Sequence, residues 1–544
     1  MALGKLESAA KSFEKAISIN SGYAEAHYNL GNALNACGQH EKAITSYSKA
    51  IVLKTNYPLA YNNRGNIFNR LGRYKEAISN YDRAIASKYN FPDAHNNNDI
   101  QVSTLNSNEY QAIGLLPIYV TGIPTTIWRN SSFDDLEYSF KTMPTFSYSP
   151  IQELVYSLLL AEARPPLNEP TRYDFLEVRL NKLLSYGAVD PAIALIERAS
   201  PVPEKMIPLL FDISLLSGNN FPICDPIFQN TKNRDLQAEL IYCYARKGDW
   251  LTAHLILKTE EVLGDLSVQE VSLLDRYLEV DFDADLSALL PPPELISPLE
   301  YRLYEAIGEP IPAEYLPIQY SQSDLSGENG WRAQVIAAER LSSTGAIPEN
   351  QILGIYTNHS PGVSGGMWER VKVVNDLDSA IKRNENVEQY FQEAWKVFKQ
   401  SNQLTVFAKL FGLRVFEKIL SVKSKEIAAN LLLLTNNFKL TEDYWNSDDI
   451  RFGLTRGDFS KVKVSNETEK IILEVFTEPS MPFLVEQKLN QGKLGEVILN
   501  ALLQFETGIE GNLKDFSESL STLNLIGLET TARRAALTHL VLRK

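Results

Sequence analysis

Cysteine, histidine and long apolar runs are all scarce in this chain. Only three cysteines, Cys37, Cys224 and Cys243, occur in 544 residues. They are too few and too scattered for a disulfide framework or a zinc site, and such usage fits a reducing compartment. The six histidines, His27, His40, His95, His254, His359 and His539, are widely separated. No H-E-x-x-H or other paired-ligand spacing links them, so no metal and no cofactor is expected. No run of 18 or more apolar residues exists, which argues against a transmembrane helix. The N-terminus, with Lys5, Glu7, Lys11 and Glu14, reads as an amphipathic helix and not as a signal peptide. A cytoplasmic location is therefore expected, with a periplasmic or envelope-associated one as the alternative. Basic charge is the remaining shortage: 53 Lys+Arg stand against 67 Asp+Glu, a net charge of −14. The imbalance is regional. Residues 1–98 carry 12 basic against 7 acidic side chains, a net of +5, and residues 99–544 carry 41 against 60, a net of −19. An acidic body argues against nucleic acid, whose phosphates demand a basic footprint. The outer-face cations Lys42, Lys49, Lys75 and Arg83 read as solvated helix surface.

What the chain does have is a 34-residue beat. Gly4, Gly38 and Gly72 fall 34 apart, as do Ala9/Ala43/Ala77, Phe13/Tyr47/Tyr81, Ala16/Ala50/Ala84, Tyr23/Tyr57/Phe91 and Ala26/Ala60/Ala94. A fixed period of this length signals stacked supersecondary units. In the unit from Ala24 to Tyr57, His27, Leu30, Gly31 and Leu34 recur at helical spacing and define a buried face. The turn Cys37-Gly38-Gln39 follows. A second helix then carries Ala43, Tyr47, Ala50 and Ile51 on one side. Small Ala43 and Ala50 let two helices approach, and Tyr47 fills the space between them. The next unit, Pro58 to Phe91, repeats this with Tyr61, Gly65, Phe68, Gly72, Ala77, Tyr81 and Ala84. These columns resemble the tetratricopeptide repeat, a helical hairpin that stacks into a solenoid. One departure is the family's proline after the second helix, replaced here by Thr55 and Tyr89; Pro58 and Pro92 instead open the next units, where proline suits a helix start.

The resemblance implies a binding surface, not a catalyst. Residues 1–98 read as a half unit, two full units and a broken half unit, a marginal array on its own. Whether Met1 is the natural start is left open. The concave lining implied by the resemblance is rich in asparagine: Asn29, Asn32, Asn62, Asn63, Asn66, Asn96 and Asn97. Asn29, Asn63 and Asn97 hold one position in successive units. Asparagine is a mediocre helix former, so its excess needs an account. Each amide offers two donors and an acceptor, which suits an extended peptide's main chain. The alternative is that asparagine is simply common in such repeats and in this chain. A protein or peptide partner is expected, through Asn29, Asn32, Asn62, Asn63, Asn66 and Asn97; the oligomeric state cannot be read.

Beyond residue 98 the texture changes. Residues 99–150 read as a linker and a proline-containing strap, with a short helix around Ser132 to Phe140. Residues 151–290 read as a helical-hairpin domain and 291–544 as a second helical domain, with Pro291-Pro292-Pro293 at the boundary. Apolar residues at three- and four-residue spacing mark Trp250–Leu263, Val387–Gln400 and Glu529–Leu542 among others. Ala238–Gly264 is a degenerate hairpin of the same outline as the N-terminal units. The fold class is all-α: a repeat array followed by an irregular α-solenoid. Thr121-Gly122-Ile123-Pro124, Glu305-Ala306-Ile307-Gly308-Glu309-Pro310 and Ser364-Gly365-Gly366-Met367-Trp368 resemble an uncharacterised group of helical alphaproteobacterial proteins, a likeness that spans residues 113–544 and implies no activity.

Catalytic patterns are weak, and no catalytic residue is assigned. Gly362-Val363-Ser364-Gly365-Gly366 has the spacing of a nucleophile elbow but lacks the strand before it, and no Walker lysine follows. Asp281-Phe282-Asp283-Ala284-Asp285 alternates acids without the glycine and distal glutamate of a calcium loop. Asp448 and Asp449 form a second acidic pair. The leading expectation is a non-enzymatic scaffold whose groove binds an extended peptide. An envelope-associated structural protein is the alternative, followed by a hydrolase-type enzyme with its site in residues 300–544.

Overall fold

The computed structural model describes residues 2–19, 21–54, 57–70, 73, 80, 112–199, 202–217, 224–231, 233–279, 295–361, 365–418 and 421–543. Among these the structure is helical, apart from one isolated parallel bridge between Leu116 and Ala161. The chain divides into two compact units. One comprises 1–112, 116–126 and 161–163; the other comprises 113–115, 127–160 and 164–544.

The first unit contains α1 (Ala2–Ile19), α2 (Ala24–Ala36), α3 (His40–Leu53) and α4 (Pro58–Arg70). Each packs on its neighbour in the chain. The small and aromatic columns of the 34-residue pattern form the core: Leu30, Leu34, Ala43, Tyr47, Ala50, Ile51, Ala60 and Tyr61 are all buried. Gly31 shows why the pattern holds a glycine there, since a Cβ at this position would lie 2.6 Å from the Tyr47 ring. The α2–α3 turn closes with Gly38 N donating to Asn35 O at 3.0 Å and Gln39 N to Leu34 O at 2.9 Å. Pro58 opens α4, where its missing N–H costs nothing.

The second unit is built from helices that pack mainly against their sequence neighbours. Trp250–Leu263, Val387–Gln400 and Glu529–Leu542 have the bounds their periodicity predicts. The Ala238–Gly264 hairpin forms as Gln237–Arg246 followed by Trp250–Leu263. Asp249 caps the second helix by accepting from Thr252 N at 3.2 Å, and Ala253 is wholly buried against the first. Helix Ile207–Ser217 left little periodic signal, because it is apolar almost all round and buries most of its side chains. Two large apolar clusters result, one spanning residues 207–304 and one spanning 335–434.

Two features of this unit depart from the sequence reading. The cysteines do pair: Cys224 and Cys243, 19 residues apart in sequence, form a disulfide with a Cα–Cα distance of 5.4 Å. Spacing alone hid it, because the short helix Cys224–Gln229 folds back onto helix Gln237–Arg246. The two ends of the unit also meet. Helix Glu529–Leu542 packs on helix Ser149–Leu160. There Arg534 donates to both Glu153 carboxylate oxygens at 2.6 and 3.0 Å, and Tyr148 Oη lies 3.1 Å from His539 Nδ1. Nearby, Glu496 Oε1 accepts from Ser132 N at 3.3 Å, and the Trp128 ring meets Phe140 edge-on and Phe175 at a tilt, with centroids 5.6 Å apart in each pair.

Candidate functional site: the asparagine lining of the repeat array

Helix α2 carries Asn29 and Asn32, and α4 carries Asn62, Asn63 and Asn66. Asn29, Asn32 and Asn63 are half-buried. The side chains of Asn62 and Asn66, and the whole of Asn96 and Asn97, lie outside the described residues.

Asn32 and Asn63 are brought together across the helix pair. Asn63 Nδ2 donates to Asn32 Oδ1 at 3.0 Å and reaches Tyr28 Oη at 3.2 Å. Asn32 Oδ1 also accepts from Tyr47 Oη at 2.7 Å. One carbonyl oxygen thus ties α2, α3 and α4 with two hydrogen bonds. The tyrosine rings brace the amides, with Tyr28 5.9 Å from Tyr47 and 5.1 Å from Tyr57 between centroids. Burial raises the Tyr47 phenol well above its ordinary pKa, so it is a neutral donor at any physiological pH.

Other polar contacts surround this network. Arg64 donates to Asn80 Oδ1 and to Ser48 Oγ, both at 2.8 Å. Glu25 pairs with Lys54 at 3.0 Å, and Lys54 sits over the Tyr57 ring at 4.8 Å. His27 is buried as a packed residue, with Nε2 donating to Ser21 O at 3.2 Å. The sequence treats Tyr47 as a space-filler. Its hydroxyl role is legible only in hindsight: the column reads Phe13, Tyr47, Tyr81, so the hydroxyl recurs in the two full units.

The patterns singled out in the body do not form a comparable site. Asp281, Asp283, Asp285 and Ser364 lie outside the described residues. Asp449 is spent locally, accepting from Arg451 N at 2.8 Å as a helix cap and pairing with the Arg451 guanidinium at 2.6 Å. Asp448 faces Lys463 at 3.5 Å along the wall of a polar cleft of about 370 Å³. Among the described residues no group of three or more His, Cys, Asp or Glu could hold a metal ion. No described helix is long and apolar enough to cross a membrane.

Comparison with known proteins decides what the array is. A family model described as TPR repeat matches residues 1–35 and 31–72, and one described as Tetratricopeptide repeat matches residues 59–91. Residues 1–91 are tetratricopeptide repeats. Tetratricopeptide repeats are protein-interaction modules, which makes the first unit an interaction unit. No curated protein matches the chain. Among solved structures, one titled "Structure of Naa15/Naa10 bound to HypK-THB" is similar at 13% identity, with a TM-score of 0.16. The match covers 95% of this chain and 65% of that one. At that score the likeness carries no argument, and the all-α assignment rests on the helices themselves.

Proposed function

We propose that this protein is a non-enzymatic interaction scaffold. Its tetratricopeptide groove holds an extended peptide of a partner along Asn29, Asn32, Asn62, Asn63, Asn66 and Asn97. The orientation of one amide pair supports the reading. Asn32 spends its carbonyl oxygen on Tyr47 and Asn63, and Asn63 spends its amino group on Asn32 and Tyr28. Among the described residues, Asn32 Nδ2 and Asn63 Oδ1 have no partner. A donor beside an acceptor is the complement of one peptide unit in an extended chain. Holding both amides in place beforehand lowers the ordering cost of binding.

The test is an array of unrelated extended peptides probed with the whole chain and with Asn32→Ala and Asn63→Ala. Where the main chain is what is recognised, each variant binds about tenfold more weakly to every peptide that the wild type binds, whatever its sequence. Identical profiles for wild type and both variants would remove the groove as the site. Thermal unfolding of the variants separates lost binding from a loosened α2–α4 contact.

On compartment, the scarcity of cysteine supports the cytoplasm, and the Cys224–Cys243 bond favours the alternative, an oxidising space such as a periplasm. Cell fractionation separates the two.

A further inference from the structure

We propose that the Cys224–Cys243 bond is a thiol–disulfide exchange site that holds or releases one segment of the second unit. Its two sulfurs are not equivalent. Cys243 is 1% exposed inside the apolar cluster of residues 207–304, and Cys224 is half-buried at the start of a six-residue helix. An attacking thiolate therefore reaches Cys224 first.

The exchange partner is a low-molecular-weight thiol of the glutathione type or a dithiol oxidoreductase. Its thiolate attacks Cys224 Sγ, forming a mixed disulfide as the Cys224–Cys243 bond breaks. Cys243 leaves as a thiolate and takes up a proton. A second thiolate then attacks the small-molecule sulfur of the mixed disulfide. That step releases the oxidised small disulfide and leaves Cys224 as a thiol after protonation. Two thiols are oxidised and one protein disulfide is reduced.

Among the described residues, the segment it would release has few other holds at its near end. A helix of this length has no stability of its own. Helix Cys224–Gln229 buries one residue, Ile227. It also packs on helix Ile207–Ser217, and the Phe228 ring lies 5.2 Å from Tyr244 and under Lys247 at 5.3 Å. The far end is fixed independently, because Arg234 pairs with Glu260 at 3.0 Å and with Asp265. The disulfide is thus the near anchor of a strap whose described residues are 224–231 and 233–234. Breaking it frees that strap and uncovers the apolar surface under Ile227, with the rest of the cluster intact.

The experiment uses the whole chain purified without reductant. Denaturing it in excess N-ethylmaleimide and weighing it counts free thiols: one adduct is expected, on Cys37, and three after dithiothreitol. Subtilisin digestion under native conditions then maps cleavage. Cuts between residues 224 and 234 are expected to accelerate about a hundredfold on reduction, the weight of a closed loop of this size. Cys224→Ser should reproduce that cleavage without reductant. Three adducts on the untreated chain would overturn the proposal. So would a cleavage pattern unchanged by reduction, since the bond would then hold nothing that moves.

Discussion

The two units hold their helices together by different means. In the repeat array the contacts described are between near neighbours: Gly31 admits the Tyr47 ring, and the next helix is tied on through Asn32 and Asn63. In the larger unit the decisive contacts join residues almost 400 apart, with sequence separations of 391 for Tyr148 and His539 and 381 for Glu153 and Arg534. A quasi-one-dimensional stack adds stability unit by unit. A body whose ends are pinned together stands or falls on the pins. Damage should therefore stay local in the first unit and spread in the second.

Removing a pin is the strongest way to break the comparison. Arg534 is nearly buried while Glu153 is 39% exposed, so Arg534→Ala should destabilise the second unit by about 2–3 kcal/mol, through the lost packing and charge-assisted hydrogen bonds of the guanidinium. Urea unfolding followed at its tryptophans should register the loss, while amide exchange in α2 and α3 stays unchanged.

Acid attacks the same seam. Burial, reinforced by Arg543, lowers His539 to a pKa of about 4 from the ordinary 6.5. The groups facing it are Tyr148, Phe516 and, on its own helix, Arg543, which lies 3.4 Å from Nε2. Between those values the unfolded chain binds the proton and the folded one does not. Stability is thus fully present above about pH 6.5 and is lost as the pH falls toward 4, by about 3 kcal/mol. His539→Phe should flatten that limb of the stability–pH curve; an unchanged slope would place the acid sensitivity elsewhere.

Gly31→Ala probes the other unit. The added methyl meets the Tyr47 ring and should cost about 1–2 kcal/mol. Faster amide exchange should appear in α2 and α3 alone; a fall in the stability of the second unit would show that damage to the array does not stay local.

The smallest effect sharpens the picture instead of breaking it. Tyr47→Phe removes one of the two donors on Asn32 Oδ1 and should cost about 1 kcal/mol. Peptide affinity should fall with it if Tyr47 sets the amide's orientation, and stay level if the hydroxyl only stiffens the helix pair.

How much was legible follows from these contacts. The period placed the buried faces of α2, α3 and α4, because a repeat prints its core in columns. The asparagines were legible as a recurring set, but not the hydrogen bonds that join Asn32 to Asn63 and Tyr47. Those depend on where Tyr28 and Tyr47 stand in three dimensions. Helix Ile207–Ser217 left little pattern because burial on all sides erases amphipathicity.

The sequence by itself determined that the chain is helical, that its first part is a stack of 34-residue hairpins, and that its charge is split between a mildly basic array and an acidic body. Each follows from local rules: side-chain spacing, turn chemistry and simple counting. Only the tertiary structure decided that Cys224 meets Cys243, that residues 148–153 meet residues 534–539, and which atom of each asparagine is already taken. Such pairings are set by how helices pack over long sequence distances, and no local periodicity encodes a contact between residues that the chain itself does not bring near.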